Sequence, residues 1–129
     1  MNIVVDTSAV VAIIVLEAEA DAFAATMSSA TRRIMTSVNL LEARLVLSFT
    51  KNMPLETVPD FVGREGIDIV PFDEPLSGLA FEAYGRYGKG RHPARLNMGD
   101  CAAYALAKAR GWPLLYKGDD FSGTDIERA

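Results

Sequence analysis

Short branched apolar runs alternate along this chain with longer stretches whose apolar residues recur at helical spacing. Ile3-Val4-Val5 stops at Asp6 and reads as a strand buried on both faces. Thr7 and Ser8 then serve as candidate caps for a helix over Ala9–Leu16, since short hydroxyl side chains satisfy free N–H groups at a helix start. Ala18–Met27 reads as a second helical stretch, Ser28–Arg33 as a polar connection and Ile34–Thr36 as a second strand. Ser37 caps a helix to about Thr50, which Asn52-Met53-Pro54 breaks; Pro54 suits the first turn of a helix over Leu55–Arg64, closed by Gly66. Ile67–Val70 is a third strand before Pro71, Pro75 opens a helix through Tyr84, and the glycines of Gly85–Leu96 predict a loop. Asn97–Arg110 is a helix stopped by Gly111, Pro113–Tyr116 a fourth strand, and Asp125–Ile126 a short edge strand. Strands alternating with helices imply an α/β fold with a parallel sheet covered on both faces.

In such sheets ligands gather outside the carboxyl ends of the strands. Asp6 follows the first strand, and Asp119 and Asp120 follow the fourth. Asp100 begins the last long helix, where Asn97 can do the capping and Gly99 leaves room for close approach. Glu42 lies inside the third helix with Val38, Leu45 and Val46 one turn away. No Lys or Arg stands three or four residues from it, so a partner must come from another element. Arg32, Arg33 and Arg95 are the available cations if that partner is structural.

Composition narrows the chemistry. The 129 residues suffice for one domain, residues 1–129, with 50% hydrophobic and 23% charged residues as in ordinary globular chains. No apolar run approaches the roughly 20 residues of a membrane span, and Ala9–Leu16 is too short and too acidic at its start for a signal peptide. A single cysteine, Cys101, excludes an internal disulfide; its expected place is a buried helix face. These features lead us to expect a cytoplasmic protein. The net charge of −4 excludes nucleic-acid binding by bulk electrostatics. Either nucleic acid is not the ligand, or positive charge is local and metal ions neutralise an acidic site. One histidine, His92, excludes a His-rich zinc centre. Carboxylates drawn together without histidine or thiolate call for a hard cation, Mg²⁺ or alternatively Mn²⁺. Such sites hydrolyse phosphodiesters by acidifying a bound water.

The segments Val4-Val5-Asp6-Thr7-Ser8-Ala9, Asn39-Leu40-Leu41-Glu42-Ala43, Leu96 to Ala105 and Leu114 to Phe121 together resemble the PIN-domain nucleases, in particular the VapC toxins of type II toxin–antitoxin pairs. The similarity covers essentially the whole chain. It implies a three-layer α/β/α fold with a mainly parallel central sheet of four to five strands. It implies Mg²⁺ bound by Asp6 and Asp100, with Glu42 and an acid of the last motif completing the site. Asp120, just before Phe121, is the favoured fourth acid, and Asp119 is the alternative. Thr7 and Ser8 are matched to residues that hold the first aspartate or the metal water. The implied activity is endoribonuclease hydrolysis leaving 5′-phosphate and 3′-hydroxyl ends, with a homodimer and a VapB-like antitoxin as assemblies.

Tyr84, Arg86, Tyr87, Lys89, Arg91, His92 and Arg95 form a local basic, aromatic stretch suited to phosphate contacts and base stacking. Arg91 and Arg95 are the RNA-binding candidates there, and Lys117 is another beside the last motif. Three rival functions share parts of this pattern. A phosphatase of the aspartyl-phosphate kind needs a second aspartate two residues after Asp6, where Ser8 stands. A receiver-type signalling domain places its acid pair after the first strand, not the last. A catalytically weak PIN-like module binding RNA or protein remains as the alternative.

Overall fold

A computed structural model describes all residues, Met1–Ala129. Four strands, β1 (Asn2–Val5), β2 (Arg32–Thr36), β3 (Ile67–Val70) and β4 (Leu114–Leu115), form one sheet in the order β3-β2-β1-β4. All three pairings are parallel. Six helices connect them: α1 (Thr7–Ile14), α2 (Ala20–Ser29), α3 (Ser37–Leu45), α4 (Thr57–Glu65), α5 (Glu74–Tyr87) and α6 (Met98–Arg110).

Alternation along the strands divides the core into two. Ile3, Val5, Met35 and Leu115 face α1–α4, packing with Val10, Leu47 and Phe61. Val4, Ile34 and Leu114 face α5 and α6, packing with Leu76, Tyr104 and Leu106. Successive side chains of a strand point to opposite faces, so one three-residue apolar run feeds both layers. The α/β/α expectation and the four predicted strands are borne out.

The departures are local. α1 begins at Thr7 because Asp6 is itself the cap, accepting from Ser8 N–H; Thr7 and Ser8 are the first turn. The third helix changes pitch at Val46–Thr50, a π-helical turn closed by Lys51 N–H to the Val46 carbonyl. Pro54 precedes α4 altogether, and Pro59 occupies its first turn, where no intrahelical N–H is needed. α5 runs on to Tyr87, shortening the predicted loop. The edge strand expected at Asp125–Ile126 does not form; Arg128 bridges Leu114 in parallel instead.

That terminal segment is fastened from below. Tyr104 donates to Asp125 at 2.6 Å, and Lys108 pairs with the other oxygen of Asp125 at 2.5 Å. Tyr104→Phe should lower unfolding free energy in urea by about 1 kcal/mol, the usual worth of one such bond. An unchanged midpoint would mean the tail is held by the Leu114 backbone bonds alone.

Candidate active site

The acidic residues meet where the sheet's carboxyl edge is overhung by the starts of α1 and α6 and the body of α3. β1 is followed by Asp6, whose backbone is still extended before the helix. Its Oδ2 accepts from Ser8 N–H at 3.0 Å and from the Ser8 hydroxyl at 2.5 Å. The Ser8 hydroxyl oxygen in turn accepts from Lys117 N–H at 2.9 Å, tying Asp6 to the end of β4. The other oxygen, Oδ1, is buried and has no partner. A buried carboxylate oxygen without a donor is unfavourable unless the group is neutral or meets a cation.

Asp100 enters through a capping box. The Asn97 side chain accepts from Asp100 N–H at 2.9 Å, and Asp100 Oδ2 accepts from Asn97 N–H at 3.0 Å. Asp100 is therefore not free of the helix start, contrary to expectation; one oxygen is committed and one is left over. Glu42 lies half-buried against Gly99, so close that a Cβ on Gly99 would stand 2.5 Å from its Oε1. It makes no ion pair: Arg32 pairs with Asp68, and Arg33 donates to the Met27 and Ala30 carbonyls.

The grouped carboxylates act on one another. Burial raises Asp6 to about 7, with the charges of Asp100 and Glu42 adding to it. Burial raises Asp100 to about 6, with Asp120 and Glu42 adding to it. Both are shifted by desolvation and by like charge. Of the two aspartates after β4, Asp120 is the one whose charge reaches Asp100; both are exposed.

The remaining candidates divide. Thr7 turns inward, donating to the Asn39 carbonyl at 3.1 Å. Arg91 and Arg95 are exposed on a rim with Lys89 and His92, and neither pairs with a carboxylate. Lys117 is not a free cation: it pairs with Glu17 at 2.5 Å and Glu19 at 3.5 Å. Cys101 is buried and its thiol is pushed up to about 11 by that burial, as for an inert core residue. Asn39, passed over in the sequence except as part of a motif, is buried among these groups.

No three His, Cys, Asp or Glu side chains form a ready-made metal cage. The donor set nonetheless suits Mg²⁺, which keeps several waters and takes one or two carboxylates. Asp6 Oδ1 and the uncommitted oxygen of Asp100 are the two that would hold it.

A PIN-domain family model matches residues 3–127, and the chain belongs to the PIN-domain family. Within that family, relatives 37–42% identical over nearly the whole chain are VapC ribonucleases. Ribonuclease VapC30 of Mycobacterium tuberculosis is 42% identical over 124 residues, 95% of each chain. Among solved structures, VapC20 of Mycobacterium tuberculosis, described as a sarcin–ricin loop cleaving toxin, aligns with a TM-score of 0.79 at 17% identity. It spans 99% of this chain and 98% of that one. A chain from a Klebsiella pneumoniae toxin–antitoxin complex aligns with a TM-score of 0.71 at 13% identity, over 96% of this chain and 93% of that one.

The raised Asp6 value fixes the sign of a stability effect. Between its ordinary value of 3.8 and about 7 the folded chain holds a proton that the unfolded chain releases. Stability therefore falls as pH rises through that window and stays reduced above it. At pH 8 with EDTA, Asp6→Asn should melt higher than wild type by roughly 5 °C, the shift that about 1 kcal/mol produces in a small domain. At pH 4 the gap should close. A variant melting no higher at pH 8 would show that Asp6 is not held against its charge.

Proposed function

We propose that this chain is the ribonuclease toxin of a toxin–antitoxin pair, hydrolysing RNA phosphodiester bonds at the Asp6–Glu42–Asp100–Asp120 cluster with Mg²⁺. The observation that carries the reading is the unpartnered buried oxygen of Asp6, facing a second carboxylate that is raised in the same way. Whole-length similarity to VapC ribonucleases supplies the activity class. Mn²⁺ offers the same hard-oxygen chemistry as the alternative ion.

When bound, Mg²⁺ supplies an acidified water and neutralises charge on the phosphate. The chain's own residues do the rest. Asp6 and Asp100 each hold one oxygen on backbone N–H groups, and the other oxygen of each would hold the ion. Ser8 fixes the Asp6 rotamer by a short hydroxyl bond. Glu42 and Asp120 flank this pair; one of these carboxylates serves as the base that orients the attacking water and accepts its proton. In-line displacement of the 3′ oxygen leaves 5′-phosphate and 3′-hydroxyl ends.

Arg91 and Arg95 hold flanking RNA backbone, so that an acidic chain receives a polyanion at one basic rim. Exposed apolar surface accounts for the protein partners. Phe81 and Met98, 80% and 77% exposed, border a groove floored by Val38, Phe72 and Ala102; a second copy of the chain covers it. Leu41, Leu45 and Phe49 leave a separate exposed row along the Glu42 helix for a VapB-like antitoxin. No helix is long and apolar enough to cross a membrane, and an RNA substrate places the work in the cytoplasm.

Purified wild type should cut total RNA into discrete products with Mg²⁺ or Mn²⁺ and not with EDTA. Asp6→Ala and Asp100→Ala should abolish the products. Asp120→Asn should slow cleavage at least about 100-fold, the usual loss of a group assisting proton transfer, while Asp119→Asn stays near wild type. Cleavage that survives Asp6→Ala and Asp100→Ala would overturn the site. Mg²⁺ binding without cleavage would favour the catalytically weak binding module.

The double variant Arg91→Ala/Arg95→Ala should weaken RNA binding about tenfold and lower the salt slope by about 1.4, as for two lost single-strand phosphate contacts. Mg²⁺ affinity should not move. Unchanged RNA affinity would remove the rim from the substrate path.

A further inference from the structure

We propose that Asn39 is the positioning residue that holds the acidic elements together, joining the β1–α1 junction, α3 and the start of α6 by one neutral side chain. The inference rests on the nuclease reading and extends it to a residue outside the carboxylate set.

Asn39 is fully buried, and both ends of its side-chain amide are bonded. Its Oδ1 accepts from the Thr36 hydroxyl at 2.6 Å. Its Nδ2 donates to the Gly99 carbonyl at 2.9 Å and to Thr7 Oγ1 at 3.3 Å. The Gly99 carbonyl can only accept, so no other orientation of the amide serves it. Thr7 closes the ring by donating to the Asn39 carbonyl at 3.1 Å, and Asn39 N–H donates to Thr36 Oγ1 at 3.0 Å.

The bonds that cross the fold end beside acids. Thr7 follows Asp6, Gly99 precedes Asp100, and Glu42 stands one turn beyond Asn39 on α3. Three mutually repelling carboxylates are thus carried by elements that one side chain ties together. In a buried site such bonds are stronger than in water, and leaving one unmade is correspondingly unfavourable. The neutrality of the tie matters. A Lys or Arg here would hold the same elements but would neutralise the carboxylates and compete with a metal ion. An amide satisfies the backbone and leaves the negative field intact. Removing it strands the Gly99 carbonyl and lets α6 and α3 yield to the repulsion between Glu42 and Asp100.

Asn39→Ala, assayed where circular dichroism shows it folded, should lower cleavage at saturating RNA at least tenfold. KM for RNA should stay within about twofold, and the Mg²⁺ concentration for half activity should rise severalfold. A folded variant with unchanged maximal rate and Mg²⁺ half-point would overturn the proposal. A role in packing alone would lower melting temperature without moving the Mg²⁺ half-point. A second measurement needs no variant. In the wild type, the Asn39 side-chain amide resonances should shift on titration with Mg²⁺, saturating together with the backbone amides of Thr7 and Asp100. Resonances that stay still while those amides move would also overturn it. Failure of the wild type itself to bind Mg²⁺ would count against the nuclease reading instead, so the two failures are distinguishable.

Discussion

Repulsion between carboxylates is the constraint on which this structure turns. Asp6, Glu42, Asp100 and Asp120 come from four different parts of the chain and act on one another without a neighbouring cation to relieve them. A fold that gathers such charges must restrain each one through its own backbone. Asp6 and Asp100 do so in the same way. Each gives one oxygen to N–H groups at a helix start and keeps the other out of protein hydrogen bonding. Capping and ion binding usually compete for an acid at a helix N-terminus. Here the two oxygens of one carboxylate divide the tasks, so the bland structural role and the functional role are the same placement.

The cations are disposed consistently with this. Lys117 leaves the carboxyl end of β4, a few residues from Asp120, and would be the natural partner for an acid there. Its ammonium is instead drawn to Glu17 and Glu19, and its N–H serves Ser8. The side chain thus braces the connection after α1 while its backbone braces Asp6. Arg33 is taken up by the Met27 and Ala30 carbonyls. Arg91 and Arg95, which pair with no carboxylate, stand on the loop before α6. Segregation of this kind lets an acidic chain keep a strong negative pocket and still offer a positive approach to a polyanion.

What could be read in the sequence was what neighbours in the chain decide. Branched triplets, the Asn97 cap and the Gly66 and Gly111 stops are local signals, and each marked its element. Carboxylates at strand ends were legible because the topology of a parallel sheet brings those ends to one edge. Pairings across the fold were not legible. Asn39 meets Gly99 sixty residues away, and Lys117 meets Glu17 across a hundred; no spacing rule announces either. Competition between local options also hid details. Asp6, Thr7 and Ser8 are all good caps, and the first of them won because Ser8 could then bond it twice. Asp125–Ile126 looked like a strand, but Tyr104 and Lys108 claim Asp125, which moves the pairing to Arg128.

Gly99 shows how tightly the two halves of the site are coupled. Its backbone does not require glycine, since no positive φ is recorded there; the requirement is space. A Cβ would meet both Glu42 oxygens, at 2.5 and 2.6 Å, and the Glu42 carboxyl carbon at 2.8 Å. On its other side the same residue gives its carbonyl to Asn39. One glycine therefore receives α3 twice, by van der Waals contact with an acid and by a hydrogen bond from an amide one turn earlier. The contact sets how near Glu42 can come to Asp100, and the bond sets how far it can retreat. Between those limits the separation of two like charges is determined by packing and not by their own electrostatics, which is the condition for a pocket that is already shaped before an ion enters it.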